Sequence, residues 1–179
     1  MMSAPRITSL LFTGSGLAIL GYCCLLRVDT WLFQKREARP IPSESLPKAS
    51  GVVGRITIPR LAISAVIVEG TSETSLRRAV GHIPETALPG EPGNVGLAGH
   101  RDTFFRALRS VRRGDVILLA TTRGEFRYRV VGTRVVSPRA VEVLDPDPAG
   151  RETLTLVTCY PFYFVGAAPS RFIVRAERP

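Results

Sequence analysis

Histidine is scarce in this 179-residue chain, which has only His82 and His100, and there is a single tryptophan. Cysteine is nearly as rare. Cys23 and Cys24 adjoin in an apolar run and Cys159 stands alone, so no disulfide framework is drawn from the three. His82, His100 and Cys159 are too far apart to give the local pair pattern of a zinc site, and no metal is assigned. Acid is also short, with 15 acidic residues against 24 basic ones, a formal net charge of +9. Such an excess favours an anionic neighbour, either membrane headgroups or nucleic acid. The arginines are scattered along strand-like segments without a basic arm or recognition motif, so nucleic acid is set aside in favour of a membrane surface. There is no internal repeat and no low-complexity tract. The hydrophobic fraction of 45% is ample for a core and excludes a disordered chain.

Residues 7–26 contain no charge. Twenty helical residues span about 30 Å, the thickness of a bilayer's hydrocarbon core. Arg6 and Arg27 bracket the run, and Tyr22 and Trp31 suit an interface. It is too long for a typical signal-peptide core and lacks a small-x-small cleavage site. Tyr22 before Cys23 fits a lipoprotein signal poorly. An uncleaved anchor over residues 1–28 is therefore expected. Residues 29–50 form a linker whose prolines (40, 42 and 47) make it an extended spacer and oppose a continuing helix. The positive flank counts Arg27, Lys35, Arg36 and Arg39 after the run against Arg6 and the α-amine before it. By charge alone the C-terminal domain would stay in the cytoplasm.

Residues 51–179 read as a β domain. Strands are expected over 52–58, 62–68, 94–100, 115–120, 125–136, 152–159 and 170–176, with a hairpin across Thr121-Thr122-Arg123-Gly124. A short helix over 71–80 has Thr71 or Ser72 to cap it and Gly81 to end it. Residues 81–93 are a turn-rich loop. A helical turn over 103–108 has Asp102 as its N-cap, and 137–150 is a long loop with one short helical stretch. Many short strands with minor helices imply a closed or nearly closed all-β barrel.

Cys159 ends one of the last two strands and Arg171 begins the other, with an aromatic loop between them. If these strands are neighbours, thiol and guanidinium emerge at one edge of the sheet, where positive charge favours thiolate and can stabilise an oxyanion. The alternative for a lone cysteine is apolar packing at a strand end. A proton carrier must come from His82 or His100. Asp102 could orient His100 from two residues away, though an N-cap is the simpler role.

Three segments resemble the sortase family: Gly96-Leu-Ala-Gly-His100-Arg-Asp-Thr-Phe-Phe, Thr155-Leu-Val-Thr-Cys159, and Arg171-Phe-Ile-Val. The run from Cys159 through Tyr-Pro-Phe-Tyr-Phe-Val-Gly-Ala-Ala-Pro to Arg171-Phe is most similar to class D members. The resemblance spans about residues 51–177 and implies an eight-stranded barrel behind a transmembrane helix. It also implies an exported catalytic domain, which outweighs the charge count on orientation. The implied activity is that of an anchored cysteine transpeptidase that cleaves a Leu-Pro-x-Thr-Gly sorting signal between Thr and Gly and passes the acyl group to an amine. Its partners are then a sorting-signal peptide, an amine acceptor and the membrane through residues 7–26. Cys159 is the expected nucleophile, His100 the acid and base, and Arg171 the oxyanion donor. Thr158, His82 and Ala98 are expected at the substrate. No cofactor is expected. Glu85, Glu91, Asp145 and Asp147 occupy loops that bind calcium in some sortases, but solvated loop acids are the default reading. Competing readings are a cysteine hydrolase that resolves its thioester with water, and a non-catalytic tethered β module.

Overall fold

The computed structural model describes residues 4–36 and 51–179, so the spacer expected over 29–50 lies outside the described residues from position 37 onward. The chain begins with helix α1 (Ala4–Arg36). At 1.5 Å per residue its 33 residues extend about 50 Å. The stretch Phe12–Lys35 is long and apolar enough to cross a membrane by length and composition. Phe12, Leu17, Leu20 and Leu25 are exposed, with no protein surface to cover them. The helix runs on past residue 28 to Arg36, a full two turns into the segment expected to be linker, because no proline occurs between Pro5 in its first turn and Pro40.

Eight strands follow: β1 (Val52–Ile58), β2 (Ile63–Glu69), β3 (Val80–His82), β4 (Asn94–Ala98), β5 (Val116–Thr121), β6 (Gly124–Val136), β7 (Thr153–Tyr160) and β8 (Ser170–Glu177). They close into a barrel in the order β1-β2-β3-β4-β7-β8-β6-β5. The β2–β3 and β4–β7 pairs are parallel and the others antiparallel. Alternation decides the inside: Ile56, Ile58, Leu97, Ile117, Leu119, Leu154, Leu156 and Val174 are all but inaccessible and fill the barrel. Tyr128 joins them. Burial pushes its phenol up to about 12, and its hydroxyl has no hydrogen-bond partner among the described residues.

The eighth strand is β3, three residues that sequence reading assigned to a helix end and a loop. Helix α2 (Glu73–Arg78) is capped by Ser72, whose Oγ accepts from Ser75 N at 3.1 Å, and it stops before Ala79. Gly81 is thus not its terminator. It lies within β3, where a Cβ would fall 2.5 Å from Gly70 O, so only glycine lets the chain pass there. The first turn after β1 is fixed by Arg60, which donates to Asp115 at the mouth of β5, with Nη2 to Oδ2 at 2.6 Å.

The C-terminal end of α1 packs on the barrel. Phe33 covers Val66, Val68 and Ala79 on the outer face. The Gln34 amide accepts from Val66 N at 2.9 Å and donates to Arg78 O at 2.8 Å, filling the gap between β2 and the chain entering β3. Asp29 pairs with Arg78 at 2.7 Å.

Candidate active site

The register of three adjacent strands builds the site. Cys159 and Arg171 are direct cross-strand partners in the antiparallel β7–β8 pair. Leu154, Leu156 and Thr158 point inward, so Cys159 and Val157 take the outer face, and Arg171 opposite Cys159 takes it too. On the other side of β7 lies β4, parallel, with Ala98 beside Val157. The chain leaves β4 through Gly99, whose N–H donates to Val157 O at 3.1 Å, and Thr158 Oγ1 donates to Gly99 O at 2.8 Å. His100 therefore follows β4 at the barrel end where Cys159 follows Thr158 on β7. The thiol-bearing strand lies between the imidazole-bearing segment and the guanidinium-bearing strand. All three side chains are partly exposed.

Packing holds the His100 segment. Phe105 is fully buried, and a Cβ on Gly99 would meet its ring at 2.7 Å, so the glycine permits the ring to close beneath the segment. Phe105 N donates to His100 O at 3.2 Å. Arg101 is buried, and its Nη1 donates to Pro161 O at 2.8 Å, tying the residue after His100 to the loop after Cys159. Asp102 turns to Arg101 at 3.3 Å with its side chain exposed. It does not cap a helix: the segment is a turn followed by a 3-10 helix at Arg106–Ser110, with Phe105 at the capping position and no side-chain cap.

Arg171 is half committed. Its Nη1 donates to Ser170 O at 3.0 Å and Ala168 O at 3.2 Å, which fixes the guanidinium plane. Nε and Nη2 have no protein partner among the described residues. Tyr160 and Phe172, one residue from Cys159 and Arg171, take the opposite, inner face, and with Phe162 they form an aromatic cluster with centroids 5.2 to 6.2 Å apart, Phe162 and Phe172 packing against the barrel core.

A family model described as a sortase domain matches residues 56–179. The chain belongs to the sortase family. It is 31% identical to Sortase D of Bacillus subtilis (strain 168) over 195 residues, which cover 97% of this chain and 98% of that one. Among solved structures, a Clostridium perfringens Sortase D5 transpeptidase matches with a TM-score of 0.65 and 30% identity, covering 81% of this chain and 88% of that one. Sortase C-1 from Actinomyces oris matches at 0.68 and 33%, covering 74% and 76%. This sortase is accordingly a cysteine transpeptidase with the closed eight-stranded barrel of its relatives, carried behind one apolar N-terminal helix.

The three residues expected at the substrate fare differently. Ala98 is partly exposed on the outer face beside Val157, two residues before His100. Thr158 is corrected from substrate contact to strut: it is 2% exposed, and its hydroxyl is spent on Gly99 O. His82 is corrected likewise. It lies in β3, is 3% exposed, and has Glu69 Oε2 at 2.9 Å from Nδ1 and Ala87 O at 3.1 Å from Nε2. The ring ties the 83–93 loop to β2, leaving no face for a ligand. Among the loop acids, Glu91 is held below the usual carboxylate range first by its bond from Arg123 and then by the Leu88 N–H. Asp147 is lowered chiefly by Arg151. Sequence reading missed Arg101 as a clamp. Its adjacency to His100 was visible, but only the fold brings Pro161 to it.

Proposed function

We propose that this sortase cleaves a Leu-Pro-x-Thr-Gly-type sorting signal through a thioester on Cys159 and transfers the acyl group to an amine. It does so from a membrane anchor, with the barrel on the extracytoplasmic side. The observation that carries the reading is the placement of Cys159 opposite Arg171, with His100 at the same end of the neighbouring strand. Cys159 Sγ, as thiolate, attacks the threonyl carbonyl carbon, and the oxygen takes the negative charge. The free Nε and Nη2 donors of Arg171 meet that oxygen. The Thr–Gly C–N bond breaks as His100 gives its proton to the departing glycyl amine. An incoming amine then attacks the thioester carbon, His100 takes its proton, and the C–S bond breaks to restore the thiolate.

The outer face offers a floor for the peptide in Ala98 and Val157. Thr86 Oγ1 accepts from Gly96 N at 3.0 Å and holds the 83–93 loop beside β4. Asn94 Nδ2 and Thr155 Oγ1 donate to Val143 O at 3.2 and 3.3 Å and hold the 137–152 loop over β4 and β7. An extended peptide would lie between these loops with its scissile bond at Cys159. Mass spectrometry of reactions with a sorting-peptide library, with and without amines, tests the reading. Expected is cleavage after threonine and an amide product that appears with amine. Cleavage yielding only the free acid in the presence of amines would make the enzyme a hydrolase.

A further inference from the structure

Where α1 meets the barrel there is a cleft of about 880 Å³ that the transfer reaction does not use. Its charged lining is Arg27 from the helix, Arg77 from α2, Arg106 and Arg109 from the segment after His100, and a single acid, Asp102, which is already paired with Arg101. The Arg27 and Arg106 guanidinium groups have neither an ion pair nor a hydrogen bond among the described residues. Arg77 has only an exposed pair with Glu73 at 3.0 Å, of the kind that contributes little. A second cavity of about 480 Å³ shares Arg27, Thr30, Arg77 and Thr103 with the cleft, adds Thr74 and the Asp29–Arg78 pair, whose charges offset each other, and runs along the helix to Leu26 and Cys23. Those two residues belong to the apolar run, and Arg27 is the first charge after it. The combined space is thus cationic at one end and hydrocarbon-like at the other, and it opens where the helix would leave a bilayer. A free phosphate would satisfy the arginines but not the apolar end. An anionic phospholipid satisfies both.

We propose that this cleft binds the phosphate headgroup of an anionic phospholipid, with Arg27, Arg77 and Arg106 at the phosphate and an acyl chain along Leu26 and Cys23. The inference rests on reading α1 as a membrane anchor. The bound lipid fills the gap between helix and barrel and adds to the Phe33 and Gln34 contacts that fix the barrel's attitude over the membrane.

Trp31 lines the cleft and is the chain's only tryptophan, so its fluorescence reports occupancy directly. The full chain is reconstituted in phosphatidylcholine vesicles containing either spin-labelled phosphatidylglycerol or spin-labelled phosphatidylcholine. The expected result is stronger quenching by the labelled phosphatidylglycerol. Each basic residue near a charged surface is worth roughly a fivefold change in binding, so Arg77→Gln with Arg106→Gln should weaken the preference by roughly twenty-five-fold. Removing two exposed charges elsewhere, Arg134→Gln with Arg139→Gln, should leave it intact, and circular dichroism checks the fold of each variant. Equal quenching by the two lipids, or an unchanged preference in the Arg77/Arg106 variant, overturns the proposal. So does relief of the preferential quenching by millimolar inorganic phosphate at constant ionic strength, which would make the site a phosphate site. A chain that fails to sediment with any vesicle overturns the anchor reading itself, a distinct result.

Discussion

Arg171 is the residue whose chemistry the fold specifies most narrowly. Its Nη1 is spent on Ser170 O and Ala168 O, so the guanidinium plane is set before substrate arrives and the Nε/Nη2 edge is left to the reacting carbonyl. Lysine in its place keeps the charge but has one ammonium for two tasks. It can hold the 168–170 carbonyls or reach the oxyanion, and it lacks the planar fork that does both. Loss of one preorganised oxyanion donor costs about 2.7–4 kcal/mol of transition-state stabilisation, a factor of roughly 100 to 1,000 in rate. Both Arg171→Lys and Arg171→Ala should therefore lose at least about two orders of magnitude in kcat for transfer of a sorting peptide to an amine. The fold should survive, because Arg171 lies on the outer face and the core strand partners on β6 and β7 are unaffected. The assay is chromatographic product formation across a panel of sorting peptides, with circular dichroism as the check on folding. A folded Arg171→Ala enzyme at near wild-type turnover would refute the oxyanion role and the strand-pair logic behind it.

Arg101→Met should leave Pro161 O without its charged donor and reduce stability by about 1–3 kcal/mol in urea titration, with a fall in kcat as the His100 and Cys159 loops lose register; an unchanged midpoint would show that the clamp is idle. Asp115 is held below the usual carboxylate range, first by its hydrogen bond from Arg60 and next by the Arg112 N–H, against an opposing effect of burial. Because the folded value is the lower one, its stabilisation is fully present above the ordinary aspartate range and is lost as pH falls through the depressed value, below about 4. Asp115→Asn should thus flatten the acid limb of the stability curve while lowering stability at neutral pH, and an unaltered acid limb would assign that loss to other groups. Tyr128→Phe removes a buried hydroxyl without a partner, so thermal unfolding should show unchanged or higher stability by up to about 1 kcal/mol; a loss larger than that would reveal a bond to the hydroxyl.

The parts of this enzyme that the sequence reveals are those governed by local periodicity. Alternating runs mark β1, β5, β6, β7 and β8 almost to their ends, and strand order in the last pair already suggests Cys159 beside Arg171. The β3 strand escapes such reading because three residues, Val80-Gly81-His82, carry no alternation, and only the parallel partner β2 makes them a strand. His82 escapes for the same reason. Its role follows from Glu69 and Ala87, which tertiary folding brings to both ring nitrogens. Thr158 looks exposed to substrate from its place beside the nucleophile, yet the period of two puts it on the inner face with Leu156. The end of α1 escapes such reading because the charge-free run stops at residue 26, whereas the docking of Phe33 and Gln34 that carries the helix to Arg36 depends on partners 32 to 46 positions away in the chain.

The central claim is that Cys159 carries the acyl group between peptide and amine. Intact-protein mass spectrometry after mixing the enzyme with a Leu-Pro-x-Thr-Gly peptide in the absence of amine tests it most directly. The predicted result is an adduct equal to the peptide's mass through threonine less water, mapped to Cys159, discharged by hydroxylamine and absent in Cys159→Ala. An adduct on another residue, or threonine-end cleavage that persists in Cys159→Ala, would contradict it.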